Sequence, residues 1–168
     1  MKIKLKKSEL SKLNQYASLR WQLCRVSGVF NQRKDNSRSD DDVDKLGLKG
    51  EFVVSKLFNI NFNPSLIGID DGCDLWINEI SIDVKSTFYE NGKLLFKSPD
   101  AFKSDISILV CQINEEIYKV AGWITKDFFI KNFTSFNGSS GVCLEQDKLF
   151  KIEKLWLHLK QKELSVVE

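Results

Sequence analysis

Two short runs of alternating residues meet at Asn78-Glu79, and they limit the fold more than any other feature of the chain. In Cys73-Asp-Leu-Trp-Ile77 and Ile80-Ser-Ile-Asp-Val-Lys85, apolar side chains take every second position, the period of a half-buried strand. Pairing Ile77 with Ile80 sets Leu75 opposite Ile82 and Cys73 opposite Val84, which makes one apolar face. The other face carries Asp74, Trp76, Ser81, Asp83 and Lys85, with Asp74 directly across from Asp83. Like charges so placed destabilise a sheet. A bound divalent cation is the obvious reason to keep them there, and without it the two should repel and weaken the fold. The turn is the weak point of this register. A two-residue turn wants positive φ at both central positions, and Asn-Glu offers one comfortable residue. A four-residue loop from Ile77 to Ile80 keeps the same partners, whereas a three-residue loop would slip the pairing and turn one arm's apolar residues outward.

The 168 residues suffice for one domain with a real core. Hydrophobic content of 42% and charged content of 29% fit a soluble globular protein, and a net charge of +2 does not by itself announce a nucleic-acid binder. No apolar run approaches eighteen residues and there is no signal-peptide pattern, so no membrane partner is expected. Cys24, Cys73, Cys111 and Cys143 are scattered without zinc-ligand spacing, which predicts free thiols in a reducing cytoplasm.

The charge is unevenly spread. Residues 1–38 hold ten Lys or Arg against Glu9 and Asp35, including all four arginines of the chain. Ser8 to about Phe30 reads as an amphipathic helix, with Ser8 as N-cap and Leu10, Leu13, Ala17, Leu19 and Leu23 to one side. This basic segment is either a solvated face or an arm that contacts phosphates through Arg20, Arg25, Arg33, Lys34 and Arg38. Residues 31–44 are almost wholly polar and read as a mobile linker, with Asp40-Asp41-Asp42 as a solvated cap. The expected organisation is therefore a basic helix and linker over 1–43 and a second unit over 44–168.

That unit opens with a helix from about Asp44 or Leu46 to Asn59, where Gly47 and Gly50 allow close approach. After the hairpin, Gly92–Lys97 reads as a strand and Ser98–Lys103 as a short helix with Pro99 at its first position. Asp105–Ile113 is nearly continuous in apolar residues, the mark of a central strand covered on both faces. Ile117–Ile124 is a further strand, Thr125 caps a helix, Phe133–Gly141 is a loop, and Ile152–Leu164 is a closing helix. Its His158 is the only histidine and sits among apolar residues, so it reads as structural. The order predicts an α/β fold, a mixed sheet flanked by helices.

A helix glutamate, an aspartate opening a strand, Asp-x-Lys on the hairpin partner, an apolar strand and a Gly122-Trp-Ile-Thr125 strand end together resemble the PD-(D/E)XK nuclease superfamily. The resemblance covers roughly Leu46 to Phe129 and implies a restriction-endonuclease-like mixed central sheet flanked by helices. It makes Glu51 the first-helix acid, Asp74 the metal-binding acid, Asp83 the second acid and Lys85 the motif lysine, with Cys73 where the family has proline. Acid-x-Lys is a cheap motif, with ~2–3 instances expected by chance at this composition. Asp83-Val-Lys85 is the only one here.

Phosphodiester hydrolysis asks for hard oxygen ligands that leave positions open to water and phosphate, which suits Mg²⁺, with Mn²⁺ as a substitute. Glu51, Asp74, Asp83 and the Val84 carbonyl form such a set, and Lys85 is placed to orient the attacking water. The expected function is a Mg²⁺-dependent deoxyribonuclease acting on DNA. Two rivals stay open: a nuclease for branched or junction DNA with the same site, and a non-catalytic DNA-binding module on the same scaffold. Oligomeric state is open, a dimer included.

Overall fold

The structure is a computed structural model, and it describes residues 1–26, 38–62, 72–136 and 141–165. The elements run β1 (Lys2–Lys4), α1 (Lys7–Val26), α2 (Asp40–Phe58), β2 (Leu75–Ile77), β3 (Ile80–Thr87), β4 (Leu94–Phe96), β5 (Ile106–Gln112), β6 (Ile117–Thr125), α3 (Lys126–Asn132), β7 (Thr134–Ser135), β8 (Val142–Leu144) and α4 (Glu153–Ser165). Five strands form a mixed sheet in the order β1-β6-β5-β3-β2. Only β3 and β5 are parallel; every other neighbouring pair is antiparallel.

Strand alternation gives this sheet two different covers. On one face Ile80, Ile82 and Val84 of β3 and Ile106, Ile108 and Val110 of β5 pack with Leu13 and Ala17 of α1, Val53 and Phe58 of α2, and Leu155 and Leu159 of α4. The opposite face offers Leu109, Cys111 and Ile124 to a second core built from Leu94, Phe96, Phe102, Phe129, Val142 and Leu144. Its cover is the small sheet β4-β8-β7 together with the short helix α3, so helices cover one face and a mostly β layer the other. The arrangement is mixed α/β, coarser than the restriction-endonuclease-like layering expected. The doubly buried β5 follows from its near-continuous apolar run, six of seven residues being buried. On β6 the pairing shifts by one between Leu109 and Val110, which leaves Ala121 as an extra residue.

The hairpin register is the one the alternation predicts: Leu75 pairs with Ile82, Trp76 with Ser81 and Ile77 with Ile80. Its turn is two residues long, with Asn78 at φ 48° and Glu79 at φ 63°. The left-handed region is unfavourable for a glutamate, and Asn-Gly is the pair such a turn prefers. Glu79→Gly should therefore raise stability by roughly 0.5–1 kcal/mol, read as a higher melting temperature; an unchanged or lower one would mean that the turn is not strained at Glu79.

The basic segment is no separate arm. Lys2–Lys4 add the edge strand to the main sheet, Leu5, Leu13 and Ala17 enter the core, and the Met1 ammonium donates to the Val120 carbonyl at 3.1 Å. The helix starts at Lys7, so Ser8 lies inside it; the Lys6 N–H is met at 2.6 Å by Glu9, and Leu19 points outward. The next helix begins at Asp40 behind a Ser39 cap, earlier than expected, because Asp40, Asp41 and Asp42 in the first turn favour its dipole. Of the predicted linker, residues 31–37 lie outside the described residues. Gly50 is where α2 presses on β3, since a Cβ there would meet Ser86 Oγ at 1.9 Å.

Candidate functional site

At the open end of the hairpin the strands part. The Asp74 N–H donates to the Ile82 carbonyl at 2.8 Å, although Ile82 is already the partner of Leu75. Two residues of one arm thus face one of the other, a β-bulge that re-aims the Asp74 side chain. The carboxylate turns to the Val84 N–H and accepts it at 2.6 Å. A residue's N–H and C=O point to the same strand edge, so the Val84 carbonyl faces the side on which Asp74 lies. The square opposition of Asp74 and Asp83 expected from the register is therefore relieved by the bulge.

Asp83 has its own partners. It sits on the interior strand β3 beside Ser107 of β5 and is 2% exposed. Lys85 Nζ donates to Asp83 Oδ1 at 2.5 Å, and Ser107 Oγ donates to the Asp83 backbone carbonyl at 2.9 Å. Above them lies the second core, where Phe96 and Phe102 stack at 4.6 Å. Lys85 reaches out beside the Phe96 ring, its ammonium 5.0 Å from the centroid and its side chain 36% exposed. On the face read as polar, one buried carboxylate is thus balanced by one half-open ammonium.

The structure gathers Asp74, Asp83, Val84 and Lys85 at this end of the hairpin. Glu51 sits on α2, the helix packed against Val84 and Ser86 on the other side of β3, and it pairs with Arg20 at 4.0 Å. The other predicted phosphate contacts are engaged in the same way: Arg25 bonds Asp40 and lies over Trp21, and the Arg38 guanidinium lies 4.0 Å from the Phe88 ring centroid. The Arg20–Glu51 and Arg25–Asp40 pairs bridge α1 and α2, which no sequence spacing reveals. Arg33 and Lys34 lie outside the described residues. His158 packs on Trp123 with ring centroids 4.9 Å apart, as a structural residue would.

A second cleft, of about 590 Å³, lies between α1, α2 and the β5–β6 connection, lined among others by Asn14, Lys45, Lys49, Phe88, Gln112 and Glu115. Burial, and then the neighbouring Lys45, hold the Lys49 ammonium below its ordinary pKa. Asn14 Oδ1 is buried there with no hydrogen-bond partner. Both residues read in the sequence as ordinary polar positions on a helix surface, so nothing pointed to them.

Among the described residues no three His, Cys, Asp or Glu side chains gather as a metal site. The hairpin nevertheless offers two carboxylates and a carbonyl, hard oxygen donors of the kind Mg²⁺ takes when water and phosphate complete its shell. The chemistry of these donors fits such an ion, while Glu51 is paired with Arg20 between α1 and α2. The chain matches no family model, no curated protein and no solved structure. No helix among the described residues is long and apolar enough to cross a membrane.

Proposed function

We propose that the protein is a metal-dependent nuclease of the PD-(D/E)XK kind, hydrolysing DNA phosphodiester bonds at Asp74, Asp83 and Lys85. The observation that carries this reading is the coupling of a buried Asp83 to Lys85, next to the bulge that brings Asp74 to Val84. Burying a carboxylate is costly unless it is paired and hydrogen-bonded. A strand with only a structural task is better served by an apolar residue at that position. Mg²⁺, when bound, would supply charge neutralisation and an acidified water. Asp74 and Asp83, with the Val84 carbonyl, would hold the ion. Lys85, released from Asp83 by that charge, would turn its ammonium to the phosphate and to the attacking water. Its side chain is open enough to do so.

One observation favours a second reading. Both carboxylates are satisfied within the protein, Asp74 by Val84 and Asp83 by Lys85 and Ser107, as in a DNA-binding scaffold that has given up cleavage. A nicking assay on supercoiled plasmid and end-labelled oligonucleotides, with EDTA, Mg²⁺ or Mn²⁺, separates the two. The nuclease reading expects cleavage with either ion and none in EDTA. Binding without cleavage under every condition would leave the scaffold reading.

A further inference from the structure

We propose that the strip from Gly72 to Trp76, with Lys103 beside it, is a seat for an unpaired nucleotide, Lys103 taking a backbone phosphate and Trp76 stacking on a base. The inference deepens the nuclease reading, and rests on it in taking nucleic acid as the ligand. Trp76 is 62% exposed, and through its pairing with Ser81 it lies on the face of the hairpin that Asp83 and Lys85 occupy. Among the described residues its indole makes no hydrogen bond or ring contact. An exposed indole on the face that carries Asp83 and Lys85 is a stacking surface that accepts any base.

At the other end of the strip the Lys103 stem lies against Gly72; a Cβ on that glycine would meet Lys103 Cβ and Cδ at 3.2 Å. Gly72 has φ +88°, so the backbone turns where the lysine crosses it. Lys103 is exposed, and its ammonium has no ion pair among the described residues. Asp105, the nearest acid along the chain, is engaged by the Ser81 N–H and hydroxyl at 2.9 and 2.7 Å. The strip spans at most roughly 13 Å, the extended length that the Gly72 turn and the bulge shorten, with Asp74 at its middle. A phosphate at Lys103 and a base on Trp76 would therefore lay the connecting sugar–phosphate over Asp74. A base inside a duplex is stacked on its neighbours and has no face to give, so the seat selects single-stranded or locally unpaired DNA.

The test is fluorescence anisotropy with a labelled oligothymidylate and a duplex of equal length, in EDTA so that binding is read without cleavage. Wild type should prefer the single strand. Trp76→Ala should lose about tenfold or more of that affinity and Trp76→Phe little of it. Lys103→Ala should flatten the salt dependence by about one phosphate contact. Wild-type affinity in Trp76→Ala, a preference for duplex, or no binding to either DNA would each overturn the seat. Mg²⁺ added to the same proteins separates the two readings. A Trp76-dependent single-strand affinity without cleavage would keep the seat and end the nuclease reading; cleavage by wild type with unaltered binding in Trp76→Ala would do the reverse.

Discussion

Lys85→Met should melt well below wild type, Asp83→Asn should melt close to it, and both should lose DNA cleavage by on the order of 10²–10³-fold or more. The stability effects differ because the two partners are buried differently. Asp83 is 2% exposed, so removing the Lys85 cation takes an ion-pair partner from a buried carboxylate that keeps its hydrogen bond from Ser107. Breaking a fully buried pair this way costs roughly 3–5 kcal/mol. The half-open edge at Lys85 lets some water in, so about 2 kcal/mol is the better expectation, or on the order of 4–8 °C for a chain of this length. In Asp83→Asn the amide still accepts from Ser107, and Lys85, 36% exposed, is free to turn to solvent. The double variant should recover most of what Lys85→Met loses, since neither charge is then left alone. Thermal melts of the four proteins and a nicking assay on each provide the measurement. A Lys85→Met protein that melts like wild type would mean that the buried carboxylate does not depend on Lys85. One that also cleaves normally would remove Lys85 from the mechanism.

The contrast between Asp83 and Asp74 marks where the sequence stops being legible. Alternation gave the pairing of Leu75 with Ile82 correctly, because turning isoleucines to water would have cost too much to permit another register. Alternation reports which side of a sheet a residue takes, and it does not report what lies on that side. Alternation places Asp83 on the face with Ser81 and Lys85 and says nothing of its burial. Its face of β3 is covered by the second core, whose Phe96 and Phe102 come from later in the chain and answer to no local period. The bulge at Asp74 was hidden for the same reason, since one extra residue leaves no mark in so short a run. The strands Lys2–Lys4 and Val142–Leu144 were missed because each pairs with a segment distant in the chain, β6 and β4, and no local pattern marks them. The Thr125 cap and Pro99 at the first position of its short helical turn were readable because such signals act within one turn, though the Ser98 side chain makes no capping hydrogen bond. At the site, Asp74, Asp83, Val84 and Lys85 are sequence neighbours through a hairpin and were legible together. Glu51 depended on how α2 seats on the sheet, and Gly50 seats it against Val84 and Ser86.

Removing residues 1–26 should abolish the cooperative melt rather than merely weaken DNA binding. A phosphate-contacting arm would leave a folded remainder behind. Here the segment carries Leu5, Leu13 and Ala17, all within 3% of full burial, and its backbone closes the sheet edge through Leu5 N–H to Glu116 and Val120 N–H to Met1. Without it, Tyr118 and Val120 of β6 and Leu46 of α2 lose the neighbours that cover them. Each large side chain newly met by water costs roughly 1.5–3 kcal/mol, and a domain has only about 5–15 kcal/mol to lose. A single substitution checks the same claim without truncation: Leu13→Ala should cost about 2–5 kcal/mol, near 5–15 °C in melting temperature. Arg25→Gln should be milder, because its pair with Asp40 is about one-third exposed on both sides and water replaces it readily. Circular dichroism melts of the truncation and the two point variants decide the matter. A 27–168 fragment that still melts cooperatively within a few degrees of the whole chain would show that the first helix is an appendage after all. The loss of DNA affinity in that fragment would then have to be read as lost phosphate contacts, with a shallower salt dependence as its sign.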